Sequence, residues 1–429
     1  MKRLFVIVFC LLAPFAVSAQ SDTWSGKLDV QGTKLSLVFH LDGDNPTMDS
    51  PDQGVRGIPV TVEYDSIGKI TITIQAISAR YEGLRIKNNI YGTFNQMGAS
   101  LPLTLAMGED KPKRPQTPVG PFPYSTQEVS FANGDVVLKG TLTLPEGYSR
   151  KTPVLLMISG SGAQNRDEEL FEHRPFAVIA DALAREGFAT LRYDDRGTGE
   201  STGNFNGSTT YDFKDDALAG VKFLRESFDK VGVVGHSEGG TIALMLSAEA
   251  QVDFAVSLAG MVVSGTETLL LQNKIVLAEA GYPQYVIDRY CKAIGEACDA
   301  VVNGGMMPQA YGRDLPEDLE NNLAGVLYQL QTPYFKDFLS LDVRPVLGSI
   351  TCPILALNGT KDTQVEYVSN LDALRSGLQG NPLDRICPIE NANHLFQHCQ
   401  TGSVSEYRAI EETFAPEAIS LIVQWLSTL

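Results

Sequence analysis

The sequence predicts an α/β chain: a doubly wound, mostly parallel sheet with a helical insertion, preceded by a small antiparallel β domain. Three observations predict it. Residues 24–106 alternate apolar and polar side chains with period two, the mark of half-buried strands. Residues 107–124 hold five prolines among charged residues, which no strand ladder or helix interior accommodates. From residue 127 on, short continuous apolar runs alternate with segments of helical periodicity, as in sheets covered on both faces.

The first segment reads as an address. Met1-Lys2-Arg3 is basic, 4–17 is almost unbroken apolar sequence, and Val17-Ser18-Ala19 offers small residues before a cut at Gln20. This predicts a signal peptide over 1–19 and an exported chain, periplasmic or extracellular. No later run reaches the roughly 18 apolar residues of a spanning helix, so no membrane insertion is expected after cleavage. Beyond Cys10, the cysteines are Cys291, Cys298, Cys352, Cys387 and Cys399. An odd set leaves at least one thiol unpaired. Packed thiols are expected, with one disulfide through Cys387 or Cys399 left open.

The β domain is expected over 20–106. Leu35, Leu37, Phe39 and Leu41 fall on one face, as do Val60, Val62 and Tyr64, and Ile70, Ile72 and Ile74. A meander or barrel would bury these faces. A semi-rigid linker over 107–126 follows, and the second domain runs over 127–429. Its expected order is a hairpin-like pair (127–131, 135–144), a strand at 154–158 and a helix at 174–186. Next come a strand at 188–192, a helix at 210–226, a strand at 231–234, a helix at 238–249 and a strand at 254–258. Residues 265–345 show helical pattern without clear strands and read as an insertion. Strands at 353–357 and 385–389 and a helix at 416–428 close the chain.

Charge narrows the partners. The formal charge of −17 argues against nucleic acid, which demands a basic face, and against an anionic membrane surface. The five histidines show no HExxH spacing, and no metal or other cofactor is expected.

Chemistry gathers at the carboxyl ends of the predicted strands, where open α/β sheets bind ligands. Gly235-His236-Ser237-Glu238-Gly239 joins the 231–234 strand directly to a helix. Such a turn strains its central residue and exposes the Ser237 hydroxyl, and flanking glycines remove clashing side chains. A serine needs a base. His40 lies in the β domain, His173 opens a helix, and His236 adjoins Ser237 on a turn that points neighbours apart. His394, after the last strand, is the best-placed base, and His398 reads as a surface or packing residue. Asp362, in the loop after the 353–357 strand, is placed to orient His394. Backbone N–H groups of Glu238 and Ser161, with Gly162 next, are the expected oxyanion donors. Asp194-Asp195-Arg196-Gly197-Thr198-Gly199-Glu200-Ser201 reads as an ion-paired turn. Asn165-Arg166-Asp167-Glu168 either lines a pocket or pairs internally.

Five segments together carry a resemblance: Ser159-Gly160-Ser161-Gly162, the turn at 194–201, Gly235 to Gly240, Asn358-Gly359-Thr360-Lys361-Asp362, and Asn393-His394-Leu395-Phe396-Gln397. Over 127–429 the chain resembles the α/β-hydrolase superfamily, and in particular exported bacterial serine carboxylesterases and related serine-aminopeptidase-like hydrolases. The resemblance implies a helical cap, matching 265–345, and an acyl-enzyme mechanism with the order Ser237, Asp362, His394. The implied substrate is a small-molecule carboxylic ester. An exopeptidase or amidase on the same residues is the alternative, and a non-catalytic glycan- or lipid-binding protein is the reading of another class. The resemblance fixes no oligomeric state.

Overall fold

A computed structural model describes residues 22–429 apart from 31, 32, 44, 54, 66, 67, 97 and 109–112; the expected signal peptide lies outside the described residues. The chain divides into two compact units between Lys113 and Arg114.

The first unit is a nine-stranded antiparallel sheet. Its strands are β1 (Thr23–Val30), β2 (Thr33–His40), β3 (Thr47–Ser50), β4 (Val55–Pro59), β5 (Thr61–Tyr64), β6 (Lys69–Ile74), β7 (Ala79–Ile86), β8 (Asn89–Gln96) and β9 (Ala99–Met107). They are ordered β4-β3-β2-β1-β9-β8-β7-β6-β5. The period-two faces explain its core: Leu37, Phe39, Leu41, Val60, Ile70, Ile72 and Ile74 are buried together with Trp24 and Tyr81. Tyr64 departs from its expected face. It ends the edge strand β5 and is exposed, because an edge strand has a neighbour on one side only.

The second unit carries an eight-stranded sheet. Its elements begin with β10 (Ser125–Asn133), β11 (Val136–Leu144), β12 (Val154–Ile158), α1 (Pro175–Arg185), β13 (Ala189–Tyr193) and α2 (Thr210–Arg225). There follow β14 (Val231–His236), α3 (Glu238–Ala248) and β15 (Ala255–Leu258). Four helices then come in succession: α4 (Gly265–Glu279), α5 (Gln284–Asn303), α6 (Glu317–Gln329) and α7 (Pro333–Ser340). The chain closes with β16 (Ile354–Gly359), α8 (Tyr367–Gly377), β17 (Arg385–Ile389), α9 (Val404–Tyr407) and α10 (Pro416–Leu426). The order is β10-β11-β13-β12-β14-β15-β16-β17. β10, β11 and β13 pair antiparallel, and from β13 onward every pairing is parallel.

The continuous apolar run of β12 has a simple cause. Val154, Leu156 and Ile158 enter the core under α2 and α3, while Leu155 and Met157 enter the opposite core with α1 and α10. Alternate residues of one strand therefore feed two hydrophobic layers. Each fully buried side chain of this size contributes about 1.5–3 kcal/mol. α2 begins where a capping box forms: Thr209 N donates to Asp212 Oδ2 at 2.9 Å, satisfying one of the free N–H groups of the helix start.

The 265–345 insertion is helical, and α4–α7 own a separate core around Tyr290, Ile294, Leu319 and Leu323. Cys291 and Cys298 sit in it, and burial pushes both thiols up to about 11. All five described cysteines are unbridged, so the disulfide left open through Cys387 or Cys399 does not form. Each instead occupies a packed or half-buried position as a small apolar group. The expected linker is also shorter on its far side. Arg114 donates to the carbonyls of Phe171, Arg408 and Ile410 at 2.8–2.9 Å, and Gln116 bonds Thr413 and Phe414. From Arg114 on, the proline-rich stretch is part of the second unit.

His173 is buried in the same region, with Nε2 3.0 Å from the Tyr407 carbonyl and Nδ1 2.9 Å from Thr413 Oγ1. A carbonyl only accepts, so Nε2 carries the proton and Nδ1 accepts from the hydroxyl. Burial pushes the imidazole down to about 4, with the charge of Arg114 acting in the same direction. The unfolded chain therefore binds a proton that the folded one refuses. Stability is complete above the ordinary histidine value of 6.5 and falls by up to about 3 kcal/mol as pH drops from there toward 4. Urea denaturation at pH 7 and pH 5 should show this loss in the wild type and a smaller one in His173→Gln.

Candidate active site

Ser237 is the single residue between β14 and α3. The reversal from strand to helix leaves it at φ 53°, ψ −119°, a conformation that costs a non-glycine residue of order 1–3 kcal/mol and persists only where its surroundings impose it. They do so by removing space. A Cβ on Gly235 would lie 1.9 Å from the Gly239 carbonyl oxygen, and one on Gly239 would lie 2.1 Å from that of Ile158. Ser237 N donates to the Leu258 carbonyl at 2.8 Å, tying the turn to the end of β15.

Asp362 and His394 come from the loops that follow β16 and β17, so both stand at the carboxyl edge of the sheet beside Ser237. The two loops are joined by backbone bonds from Thr360 N to Ile389 O and from Lys361 N to Ala392 O, both 2.9 Å. His394 Nδ1 lies 2.7 Å from Asp362 Oδ2, and both side chains are buried. The other carboxylate oxygen accepts from Gln364 N and Val365 N at 2.8 and 2.9 Å. Asp362 is thus fixed as an acceptor, Nδ1 of His394 carries the hydrogen, and Nε2 is the basic nitrogen. Among the described residues no hydrogen bond joins Ser237 Oγ to His394 Nε2.

The remaining predicted residues separate. Ser161, Ser237 and Glu238 line one cavity of about 610 Å³. Gly162 lines a small cleft with Tyr193 and Phe213 instead. The large cavity is walled by the four-helix insertion through Leu269, Val276, Leu330, Phe335 and Phe338, with Met261 from the sheet side. Its polar lining includes Gln272, Gln329 and Gln364, and Glu279. Among the described residues no group of three His, Cys, Asp or Glu is placed to hold a metal ion.

Two side chains at the site were not singled out for it by sequence. Tyr334 opens α7 from the insertion, and its hydroxyl lies 2.8 Å from Glu238 Oε2 and 3.1 Å from Ser161 Oγ. A phenol has one hydrogen, so it goes to the carboxylate, and Ser161 donates to the phenol oxygen. Burial, with Glu238 beside it, pushes Tyr334 well above the usual range for a phenol, so the hydroxyl keeps its proton. The other Glu238 oxygen accepts from Thr210 Oγ1 at 2.5 Å. Glu168 is the second. It is buried at φ 52° and accepts at one oxygen from Gly160 N at 2.7 Å, with His236 Nδ1 2.9 Å away. Tyr334 stands in an aromatic cluster with Phe335 and Phe338 after a Thr-Pro helix start, a pattern that also describes an ordinary packed helix.

The acidic turn at 194–201 is a brace. Burial opposes ionisation of Asp194, yet the Arg166 guanidinium at 2.7 Å holds its carboxyl below the usual range. Arg196 reaches Asp216 at 2.6 and 2.8 Å. Asp195 accepts from Ser159 Oγ and Gln164 N at 2.8 and 3.0 Å, which fixes the loop carrying Ser161.

Removing the phenol hydroxyl leaves a buried carboxylate oxygen without its donor. Tyr334→Phe should lower stability by about 1.5–3 kcal/mol, read by urea denaturation, and should raise KM for any substrate held in the cavity.

Comparison with known proteins identifies a family. Residues 133–394 match the model of the X-Pro dipeptidyl-peptidase (S15) family, a span from the end of β10 to His394. The chain is 26% identical to esterase EstD of Thermotoga maritima over 273 residues, 62% of this chain and 60% of that one. It therefore spans less than two thirds of that relative's length. It is 28% identical to an acyl transferase of Photobacterium leiognathi over 122 residues, 28% of this chain and 38% of that one. Among solved structures it is similar to esterase Pf2001 of Pyrococcus furiosus at TM-score 0.43 and 20% identity, covering 75% of this chain and 98% of that one. The match over more than half its length makes this chain a member of the S15 peptidase family of α/β-hydrolase-like enzymes.

Proposed function

We propose that this protein is an exported serine hydrolase that cleaves carboxylic esters through an acyl-enzyme. The observation that carries the reading is the buried 2.7 Å pair of His394 Nδ1 and Asp362 Oδ2 at the sheet edge where the strained Ser237 meets a cavity. With Nδ1–H held by the carboxylate, His394 Nε2 is free to take the Ser237 proton as the hydroxyl attacks the carbonyl carbon. The serine–histidine contact closes when substrate fills the cavity, as such contacts commonly do. The oxyanion forms beside the N–H of Glu238 at the start of α3, where the helix dipole favours negative charge, with Ser161 N as second donor. His394 then gives its proton to the leaving alcohol, and water attacks the acyl-enzyme by the reverse route.

The cavity supports an ester with an apolar acyl or aromatic group. About half of its lining residues are aliphatic or aromatic, with Leu330, Phe335 and Phe338 grouped on the insertion side, and its volume suits a small molecule. The family match favours a second reading, an exopeptidase on the same residues. Among the described residues no helix is long and apolar enough to cross a membrane; export rests on the leader at 1–19.

A fluorophosphonate probe should label the wild type and not Ser237→Ala. Asp362→Asn should keep the fold and lose about 10⁴-fold in kcat, as when the orienting carboxylate of a triad is replaced. A panel of p-nitrophenyl esters of rising acyl length, acetylated or feruloylated sugars and aminoacyl anilides separates the readings. Ester turnover should dominate, and dominant anilide turnover would establish the exopeptidase instead.

A further inference from the structure

His236 is adjacent to the proposed nucleophile, yet it does not line the cavity around Ser237. It is buried, and both of its ring nitrogens meet acceptors. Nε2 lies 2.8 Å from the backbone carbonyl oxygen of His394. That oxygen has no hydrogen to give, so Nε2 carries one. Nδ1 lies 2.9 Å from Glu168 Oε1, an oxygen that already accepts from Gly160 N at 2.7 Å. A carboxylate placed against two N–H groups satisfies both, and a neutral imidazole has only one hydrogen to offer. The geometry therefore describes an imidazolium with two donors, paired with a carboxylate.

We propose that Glu168 and His236 form a positioning pair, in which the carboxylate keeps the imidazole doubly protonated, its Nε2–H seats the main chain of His394, and its positive charge stands beside that general base. The ring centroids of His236 and His394 are 4.8 Å apart. His394 is then gripped at two points, its side chain by Asp362 and its own carbonyl by His236. Gly160 belongs to the loop that carries Ser161. One carboxylate thus ties together the oxyanion loop, the residue before the nucleophile and the seat of the base. The role of the pair rests on the serine-hydrolase reading; its protonation state does not.

The surrounding charges agree. Burial opposes a charged His236, but Glu168, with the His394 carbonyl and Asp362, raises it above the usual histidine range. Glu168 faces Asp195, which also feels Glu238; burial pushes Asp195 well above the usual carboxylate range, while Ser159 Oγ and Gln164 N donate to it and act the other way. Tyr407, buried beside Asp362, is raised in the same way and stays neutral. The Phe396 ring stands edge-on to His236, with centroids 6.4 Å apart.

The sign of the effect follows. A positive charge beside His394 disfavours adding a second one there. Removing it makes the inactivating protonation easier, so the acid limb of kcat/KM moves to higher pH. Glu168→Gln keeps the shape and removes the carboxylate. In this variant and in His236→Asn, kcat should fall about 10- to 100-fold with KM nearly unchanged, as expected for a displaced base. The acid limb should move up by about half a unit or more. A purely structural role would lower activity equally at all pH values, and an unmoved limb overturns the proposal.

The second measurement needs no folded variant at position 168 or 236. Selective ¹⁵N-histidine labelling should show one imidazole doubly protonated at pH 8. It is recorded in the His398→Gln background, because the exposed His398 also contacts two carboxylates, Glu412 and Glu417. Finding every imidazole singly protonated overturns the pair. Fluorophosphonate labelling keeps the two questions apart: an unlabelled wild type overturns the hydrolase reading, whereas a labelled wild type with an unmoved limb overturns the role of the pair alone.

Discussion

The site depends on an absence of atoms. β14 can reverse into α3 within one residue only because Gly235 and Gly239 bring backbone against backbone, closer than any side chain permits. That contact holds Ser237 at its unusual dihedral angles. It also turns the side chains of the adjacent His236 and Glu238 in different directions, one toward the His394 carbonyl and one toward Tyr334 of the insertion. Everything else at the site fits around this turn: the loop from β12 behind it, the two loops from β16 and β17 beside it, and α7 above it.

Three buried histidines show how little of a residue's behaviour resides in its type. His173 sits between a hydroxyl and a carbonyl and stays neutral. His394 faces one carboxylate through Nδ1. His236 faces a carboxylate and a carbonyl, so both nitrogens donate. Partner chemistry at hydrogen-bond distance, set by loops far apart in sequence, gives each ring a different set of donors and acceptors.

Most of the second unit was legible because its inner strands are buried on both faces and so read as short apolar runs. The strands 154–158 and 385–389 lie where the runs place them, and the others shift by one or two residues. The serine turn, Asp362 and His394 were legible because each directly follows such a strand. The helices α8 and α9 were missed: α9 is only four residues long, and α8 mixes its apolar residues with polar ones, including the buried Asn370. Tyr334 and Glu168 could not be located by pattern. Tyr334 reaches Ser161 across 173 positions and Glu168 reaches His236 across 68, and no local periodicity encodes such a meeting. In the β unit, alternation found the buried faces but not which strand stands at an edge, and Tyr64 shows the difference.

The clasp of Arg114 and Gln116 on residues 408–414 gives the boundary between the units a polarity. A cut before Arg114 leaves the second unit with its clasp intact. One a few residues later strips the charged donor from three carbonyls and loosens the segment that also shelters His173. Two neighbouring cuts in the proline-rich stretch would therefore differ in effect, one sparing these contacts and the other removing them.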